Sequence, residues 1–215
     1  MSTERTCIIC NNKALFRLTK INTDYYQCTN CETLFSDPLP NEDMVGGGNE
    51  EARNKEQNNE RIQRIVEITA GMQKEDVNIL DFGCGHGMLV DDLINAGFVN
   101  TEGFDVYNPE FATTPKKDHY HVISMVEVIE HLSNPFTEIK AICRWLKKGG
   151  ILMVETSFVD VAKNYKIELE DFFYINPDVG HSTIFSFHGL DLLMAQHGLT
   201  SRQMFNQHVH LYQKL

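Results

Sequence analysis

Apolar residues from about residue 60 onward repeat with two alternating periods. Stripes with helical spacing alternate with apolar runs of strand length, and these runs lie in VNILDF, VNTEGFD, YHVISMV and ILMVETS. The helical stripes are Ile62, Ile65 and Val66; Leu89, Val90, Leu93 and Ile94; Phe136, Ile139, Ile142 and Leu146; and Leu190, Leu193 and Met194. Strands that alternate with helices predict an α/β fold: a mostly parallel sheet with helices on both faces.

Turn and capping residues predict where several of these elements end. Lys147, Lys148 and Gly149 follow the third stripe, and cations followed by glycine favour the end of a helix there. Gly198 predicts the end of the last helix. Two strands around Met204 and Val209 then predict a C-terminal antiparallel hairpin on the edge of the sheet.

Residues 1–40 have a different character, being short, rich in turns and rich in cysteine. Two Cys-x-x-Cys pairs lie in this segment, formed by Cys7, Cys10, Cys28 and Cys31. A two-residue gap lets one tight turn present both sulfurs, so the pairs predict a zinc ribbon with four thiolate ligands; a redox pair and an iron site are the alternatives. Since so small a module buries little apolar surface, the metal would supply folding free energy.

Two features of the N-terminal part leave alternatives open. Phe16, Tyr25 and Tyr26 form either the small core of the ribbon or an exposed surface for a substrate. Residues 41–57 contain three consecutive glycines followed by charged residues, which predicts a linker or a lid. The main domain is therefore expected over residues 58–215.

Composition and charge narrow the class of protein. Nineteen Lys and Arg oppose thirty Asp and Glu, a net charge of -11, which makes a nucleic-acid partner unfavourable. Arg53, Lys55, Arg61 and Arg64 lie close together in the sequence. They form either a local basic patch or a solvated helix face, and we favour the solvated face. No apolar run reaches the roughly 20 residues of a membrane helix, and the first ten residues do not resemble a secretory signal. We expect a cytoplasmic protein, with Cys84 and Cys143 reduced.

The stretch DFGCGHG predicts a tight turn from strand to helix, with Gly83, Gly85 and Gly87 at alternate positions. Glycines in such a turn let a ligand approach bare backbone at a helix N-terminus. Asp81 precedes the turn, and Asp105 follows Gly85 by 20 residues at the end of the next strand. The two carboxylates favour a ligand with cationic groups, and Asp105 is placed to accept ribose hydroxyls.

These motifs together carry a family resemblance. DFGCGHG, GFD, ISMVEVIEHLSNP, WLKKGGILMVETS and HSTIFSFHGLDLLMAQHGL resemble the class I S-adenosylmethionine-dependent methyltransferases, in the subgroup with an N-terminal cysteine ribbon. The resemblance covers residues 60–215 and implies a seven-strand Rossmann-like sheet. It also implies that S-adenosylmethionine is held by Asp81, Gly83, Cys84, Gly85, Asp105, Met125, Val126 and Glu127. Asp105 would hold the ribose, and residues 125–127 would form the floor under the methyl group.

Two departures from the family pattern stand out. Only about 15 residues separate Asp105 from the strand that begins near Tyr120, too few for the helix and third strand that the family has there. The acidic contact to the adenine amine is therefore not identifiable. His121 also stands where the family tends to have an aspartate.

The stretch EVIEH places Glu127, Glu130 and His131 on one face if the chain is helical there. The stretch resembles the metal motif of ubiquinone-pathway O-methyltransferases and of small-RNA 2′-O-methyltransferases, and His181 is placed like the further histidine of that motif. These residues are therefore a possible second divalent site, for Mg2+ or another cation. The alternatives are that His131, with Glu127 and His181, acts as a base or contacts substrate, or that the cluster is structural.

Three functions compete for this sequence. The leading hypothesis is methyl transfer from S-adenosylmethionine to a small-molecule or sugar acceptor, with oxygen favoured as the accepting atom. The alternative is a non-catalytic zinc-ribbon binding module on a degenerate Rossmann-like scaffold. An NAD-dependent oxidoreductase is disfavoured because Met88 occupies the third glycine position of the dinucleotide motif. The sequence carries no signal for the oligomeric state.

Overall fold

The computed structural model describes residues 4–37 and 51–215 of the chain. In chain order the strands are β1 (Glu4–Thr6), β2 (Lys13–Lys20), β3 (Thr23–Cys28), β4 (Leu34–Ser36), β5 (Asn78–Phe82), β6 (Asn100–Phe104), β7 (Tyr120–Val126), β8 (Leu146–Glu155), β9 (Thr183–Ile184), β10 (Leu199–Asn206) and β11 (Val209–Lys214). The helices are α1 (Glu51–Ile68), α2 (Met88–Asn95), α3 (Pro135–Trp145), α4 (Val159–Tyr165) and α5 (Phe187–Ala195). None of these helices is long and apolar enough to cross a bilayer.

The larger sheet has the strand order β10-β11-β8-β7-β5-β6. Strands β5 to β8 run parallel, whereas β11 runs antiparallel to both β8 and β10. The predicted fold class, a mostly parallel sheet with a C-terminal antiparallel hairpin, is therefore confirmed. Parallel strands bring their carboxyl ends to one edge of the sheet, which places the turns after β5, β6 and β7 side by side.

The sheet has six strands in the described part of the chain, rather than the seven that the resemblance implied. Between β6 and β7 the chain forms only a short 3-10 helix, Pro109–Phe111. The physical reason is the length of this connection, which holds neither a helix nor a third strand. The predicted departure is thus confirmed, and the full seven-strand expectation is wrong.

The KKGG turn also differs from its prediction. Lys147, Lys148 and Gly149 do not end a helix, because α3 already ends at Trp145 and β8 begins at Leu146. Leu146 pairs with Tyr120 on β7, and the register shifts before Val122 pairs with Ile151. The positive φ of Gly149, 77°, lies in this irregular stretch of strand.

Helix α1 corrects two expectations. It begins at Glu51, so residues 51–57 of the predicted linker or lid are helical; residues 41–50 lie outside the described residues. Good helix formers such as glutamate, lysine and glutamine account for this start. Arg61 and Arg64 are not on a solvated face, because their side chains are only 8% and 13% exposed and both pair with Glu155.

The N-terminal segment builds a second sheet that it shares with the main domain. The strand order is β1-β2-β3-β4-β9, and β9 comes from residues far along the chain. Leu34 pairs with Ile184 and Phe35 with Thr183. One hydrophobic cluster contains ribbon residues such as Leu34 together with Ile184 of the main domain. The ribbon is therefore packed and hydrogen-bonded onto the α/β domain.

Two aromatic residues of the ribbon lie in its core. Tyr25 and Tyr26 are 0% and 2% exposed, so the interpretation as a substrate surface is wrong for both. Phe16 is 45% exposed and contacts the ring of Tyr26 from outside. Strand β3 lies between β2 and β4, and both tyrosines belong to the hydrophobic cluster that the ribbon shares with the main domain.

Candidate functional site

The glycine turn lies between the end of β5 at Phe82 and the start of α2 at Met88. Gly83, Gly85 and Gly87 all have positive φ, at 76°, 56° and 81°. A side chain at two of these positions would collide with the protein itself. A Cβ on Gly83 would lie 2.5 Å from Val128, and one on Gly87 would lie 2.5 Å from the ring of Phe111. These two glycines are therefore required by internal packing.

Gly85 differs from its two neighbours because it faces open space. A Cβ there would meet no heavy atom within 4 Å. Bare backbone that borders empty space at the carboxyl edge of a parallel sheet is the arrangement that lets a ligand lie against the main chain. Of the three glycines, Gly85 is thus the one that marks the predicted ligand cleft.

Asp105 is held beside Gly85 by hydrogen bonds from three backbone N–H groups. Oδ2 accepts from Gly85 at 2.9 Å, while Oδ1 accepts from Tyr107 at 2.8 Å and Asn108 at 3.2 Å. The Asn108 amide in turn donates to the Gly85 carbonyl at 2.7 Å. Two donors already use Oδ1 and one uses Oδ2, so the lone pair that remains for a ribose hydroxyl lies on Oδ2.

Asp81 lies beneath the glycine turn, at the end of β5. It is 4% exposed, and its Oδ1 accepts a hydrogen bond at 2.8 Å from Ser124 on the adjacent strand β7. Burial raises the pKa of Asp81 to about 6, and the charge of Asp105 acts in the same direction. A cationic ligand above this carboxyl would favour its ionised form.

The remaining predicted cofactor residues occupy different depths. Val126 is half-buried at the end of β7, whereas Met125 is completely buried and lies below the cleft surface. Cys84 is half-buried in the turn, and burial raises the pKa of its thiol to about 12, so it stays protonated. The predicted floor is therefore left to Val126 and Glu127.

Acidic groups at this edge of the sheet are balanced by a buried arginine. The Arg61 guanidinium donates to Glu155 at 2.6 and 3.1 Å, and it also donates to the Asn58 amide oxygen at 2.9 Å. Arg61 also lowers the pKa of Asp81 by its charge. Helix α1 is thereby fixed to the carboxyl end of β8.

The EVIEH stretch is not the single helical face that its spacing predicted. Glu127 has a positive φ of 52°, and its N–H still bonds to the Glu155 carbonyl beside β8. Only Ile129–His131 forms a short 3-10 helix, with Glu130 fully buried and Glu127 exposed. The strand-like bond at Glu127 and its left-handed backbone delay the helical turn until after Val128.

Tyr174 brings the two glutamates together although the helix does not. Its hydroxyl contacts Glu127 Oε2 at 2.8 Å, Glu130 Oε1 and the Thr156 hydroxyl at 3.0 Å. One phenol proton reaches only one carboxylate, so the other carboxyl must itself carry a proton to bond the phenol oxygen. Although Glu127 is exposed as a whole residue, its carboxyl group packs against Tyr174. Desolvation raises the pKa of both glutamates, and the charge of Glu130 adds to the effect on Glu127, whose pKa rises to about 8.

His131 and His181 lie next to each other, with ring centroids 4.8 Å apart. His181 Nδ1 is 2.6 Å from the Tyr174 carbonyl, which can only accept, so Nδ1 carries the proton and Nε2 has a free lone pair. Burial lowers the pKa of both rings, that of His131 to about 4. Both imidazoles are therefore neutral at pH 7.

Three of the four residues predicted as a second divalent site come together. Donor atoms of Glu130, His131 and His181 all lie within 4.8 Å of one another, and Glu127 is not part of this group. Two imidazoles and one carboxylate do not fit Mg2+, which prefers oxygen ligands. The donor set suits a transition metal such as Zn2+ or Mn2+.

The four cysteines of the ribbon converge as predicted. Cys7 and Cys31 have their sulfurs 3.6 Å apart, those of Cys10 and Cys28 are 3.4 Å apart, and all four lie within 4.8 Å of one another. Four thiolates at about 2.3 Å from a tetrahedral zinc ion have sulfurs roughly 3.8 Å apart. The arrangement therefore fits such an ion, with sulfurs that accept N–H bonds from Ile9, Asn30 and Cys31.

Sequence reasoning missed several residues that shape the site. These are Arg61, Asn108, Phe111, Ser124, Val128 and Tyr174. Asn108 and Phe111 follow the predicted ribose aspartate closely, so the NPEF stretch was an available local signal. Tyr174 carried none, because it reaches the glutamates from a loop 44 residues along the chain from Glu130.

Comparison with known proteins identifies a family to which this sequence is similar. Residues 52–203 match the family described as a methyltransferase domain. The Caulobacter vibrioides ubiquinone biosynthesis O-methyltransferase is 29% identical over 104 residues, which span 38% of this chain and 41% of that protein. Its Hydrogenovibrio crunogenus counterpart is 29% identical over 126 residues, spanning 48% of this chain and 50% of that protein. The matched region thus spans about half the length of these relatives or less.

Solved structures show the same fold at low sequence identity. A Methanosarcina mazei S-adenosylmethionine-dependent methyltransferase aligns with a TM-score of 0.51 at 19% identity, covering 70% of this chain and 97% of that one. A Synechocystis magnesium protoporphyrin IX methyltransferase with bound S-adenosylhomocysteine aligns with a TM-score of 0.52 at 11% identity, covering 80% and 92%. The shared feature is the Rossmann-like fold.

Proposed function

The chain belongs to the methyltransferase domain family, and on that premise we propose that it transfers the methyl group of S-adenosylmethionine to an oxygen of a small-molecule or sugar acceptor. The observation that carries the cofactor part is the bare backbone of Gly85 in open space, with the Asp105 carboxylate bonded to its N–H. The choice of oxygen is supported by the O-methyltransferase relatives.

In this proposal the cofactor lies along the glycine turn. The sulfonium of S-adenosylmethionine supplies an activated methyl group. Asp105 Oδ2 accepts a ribose hydroxyl with its free lone pair, and Asp81 contributes negative charge beneath the turn. Val126 and Glu127 line the side of the cleft next to β7. The acidic surroundings of the turn favour a cationic ligand over a pyrophosphate.

The acceptor side is assigned to the residues around Tyr174. Methyl transfer to a hydroxyl releases a proton, and the free Nε2 of His181 is oriented to receive it because Nδ1–H bonds the Tyr174 carbonyl. His131 packs against this ring and is also neutral. Glu127, with its raised pKa, is placed to hydrogen-bond the acceptor from the cleft side.

A divalent cation on Glu130, His131 and His181 is the alternative use of the same cluster. Such an ion would bind an acceptor oxygen and lower the pKa of its hydroxyl. The two versions differ in one assay. Turnover that survives extended dialysis against a chelator supports His181 as a base. Loss of turnover that Mn2+ restores, in protein that still carries the zinc ion of its four cysteines, supports the cation.

We assign a structural zinc ion to Cys7, Cys10, Cys28 and Cys31. The support is their sulfur spacing and the backbone N–H groups that point at the sulfurs. Four closed thiolate ligands leave no open position, so this ion would stabilise the ribbon and take no part in methyl transfer.

The proposed activity is tested in two steps. Isothermal titration should show binding of S-adenosylhomocysteine; absence of binding by both this product and S-adenosylmethionine contradicts the proposal. Tritiated methyl from S-adenosylmethionine should then enter a small-molecule cell extract. Hydriodic acid releases O-methyl groups as volatile methyl iodide, so label that stays non-volatile would exclude an oxygen acceptor.

The methyltransferase domain disfavours the alternative that the sequence left open, a non-catalytic binding module. Such a module predicts that neither S-adenosylhomocysteine nor S-adenosylmethionine stabilises the fold against heat. No protein atom fills the space beside Gly85, so the space is open to a ligand. We therefore favour the enzyme.

A further inference from the structure

The ribbon contacts the segment that carries Tyr174 and His181. This segment, the acceptor-side loop, comprises residues 166–182 between α4 and β9. Lys20 donates to the Phe172 carbonyl at 3.0 Å, and the Arg17 guanidinium lies 3.2 Å from the Glu170 carboxylate. The exposed Arg17 pair contributes little stability, whereas a bond to a backbone carbonyl restrains the loop itself.

The shortest of these ribbon contacts with the loop reaches His181 directly. The Tyr25 hydroxyl donates to the His181 carbonyl at 2.7 Å, and Tyr25 is 0% exposed. A buried tyrosine that is fixed by packing holds its hydroxyl in one place, so the carbonyl that it bonds is restrained as well. No other direct bond to this carbonyl is found among the described residues.

Ser182, the residue after His181, links the ribbon to the main chain of Glu130. Ser36 at the end of β4 donates its N–H to the Ser182 carbonyl at 2.8 Å. Ser182 in turn donates both its N–H and its hydroxyl to the Glu130 carbonyl, each at 2.9 Å. The edge of the ribbon is thus one residue away from the main chain of the proposed acceptor site.

On the site side, these restraints converge on the His181 ring. Its Nδ1 bonds the Tyr174 carbonyl, and its ring packs on His131 and on the ring of Tyr174. The direction of the Nε2 lone pair therefore depends on where the backbone of residue 181 is held. Tyr25 holds that backbone at its carbonyl, and within the loop the N–H of His181 donates to the Asn176 carbonyl at 3.2 Å.

We propose that the ribbon positions the acceptor-side loop and that Tyr25 is the positioning residue for His181. The proposal rests on the proposed function, since it assigns the ribbon a part in building the acceptor site. It differs from a purely stabilising ribbon in a specific way. Removal of the Tyr25 hydroxyl from the ribbon core should change the position of the His181 ring, although this hydroxyl is neither a metal ligand nor part of the cofactor cleft.

The test compares Tyr25→Phe with Tyr212→Phe in the full chain with its metal. Tyr212 is also 0% exposed and loses an equivalent bond, 2.8 Å to Asp191, but among the described residues its hydroxyl makes no hydrogen bond to the acceptor-side loop. The first readout is the ring Cε1–H NMR signal of His181, assigned from His181→Gln. We expect this signal to shift in Tyr25→Phe and to stay in place in Tyr212→Phe. The NMR measurement requires neither turnover nor a known acceptor.

The second readout is label transfer from S-adenosylmethionine to the small-molecule extract. We expect Tyr25→Phe to lower the turnover rate about tenfold while the Kd of S-adenosylhomocysteine changes less than twofold. If the wild type shows no turnover, the proposed function fails, and the NMR comparison still decides the positioning role.

Three outcomes would overturn the positioning role. They are an unmoved His181 signal in Tyr25→Phe, an equal shift in Tyr212→Phe, and unchanged turnover in an active wild-type background. Should Tyr25→Phe fold poorly or release its metal, Lys20→Met removes the surface bond to the Phe172 carbonyl instead. That variant is expected to move the His181 signal away from its wild-type position, and an unmoved signal there also counts against the proposal.

Discussion

The Asp105 carboxylate accepts a hydrogen bond at 2.9 Å from the backbone N–H of Gly85, across two neighbouring parallel strands. This bond ties the turn after β5 to the loop after β6. Because Oδ1 already accepts from Tyr107 and Asn108, the lone pair that is left for the proposed ribose contact lies on Oδ2.

Asp105→Asn should weaken binding of S-adenosylhomocysteine at least tenfold. An amide offers one acceptor oxygen where the carboxylate offers two, so either the turn or the ribose loses a charge-assisted bond. Isothermal titration measures the effect. Asp91→Asn, an exposed substitution in the first turn of α2, is the matched control and should bind normally. Equal affinities for Asp105→Asn and wild type would contradict the cofactor assignment.

Gly85→Ala should mainly lose cofactor affinity, whereas Gly87→Ala should mainly lose stability. Both positions have positive φ, which costs an alanine roughly 1–2 kcal/mol. At Gly85 the new methyl enters open space, so we expect modest destabilisation with a large loss of cofactor affinity. At Gly87 it meets the Phe111 ring, so the loss of stability should be larger. Urea unfolding and titration with S-adenosylhomocysteine separate the two; normal affinity in Gly85→Ala would exclude the cleft.

Zinc should be present at one ion per chain and should be needed for the ribbon to fold. Elemental analysis of Cys28→Ser should show loss of the ion, because three thiolates bind zinc less tightly than four. Cys143→Ser is the control, since Cys143 lies outside the four-cysteine cluster. A full zinc content in Cys28→Ser, or iron in the wild type, would refute the assignment.

His210 should make the fold less stable in mild acid. It is 4% exposed and packs between Phe158 and Phe187, and burial lowers its pKa from 6.5 to about 4 despite the nearby Asp160 and Asp191. Between these two pH values His210 is therefore protonated in the unfolded chain but not in the folded chain. Stability is lost as the pH falls from about 6.5 to about 4, by about 3 kcal/mol in total.

His210→Gln should remove that part of the pH dependence. Urea unfolding at pH 7 and pH 4.5 gives the difference between variant and wild type, in which the other titrating groups cancel. His188→Gln, at an exposed position, should keep the wild-type slope. An unchanged slope in His210→Gln would show that this residue is not the cause.

The alternating periods of the chain were sufficient to predict the sheet and most helices. Strands β5 to β7, the part of β8 from Ile151 onward and helix α5 lie where their apolar patterns placed them, because the spacing of apolar residues is a local property of the sequence. Leu146, which the pattern assigned to the preceding helix, is instead the first residue of β8. Helix α4 was missed, since VDVAKNY is short and follows a strand without a glycine or proline signal. The β4–β9 pairing was also unpredictable, because it joins residues about 150 positions apart.

The sequence by itself determined which residues carry the candidate chemistry. These are four cysteines with metal spacing, a glycine turn after a strand, and an acid at the end of the next strand. Only the tertiary structure decided which glycine faces open space and that Tyr174 joins Glu127 to Glu130. It also decided that Tyr25 of the ribbon holds His181. The physical reason is that spacing along the chain fixes local geometry, whereas these contacts depend on side chains that packing brings together from distant segments.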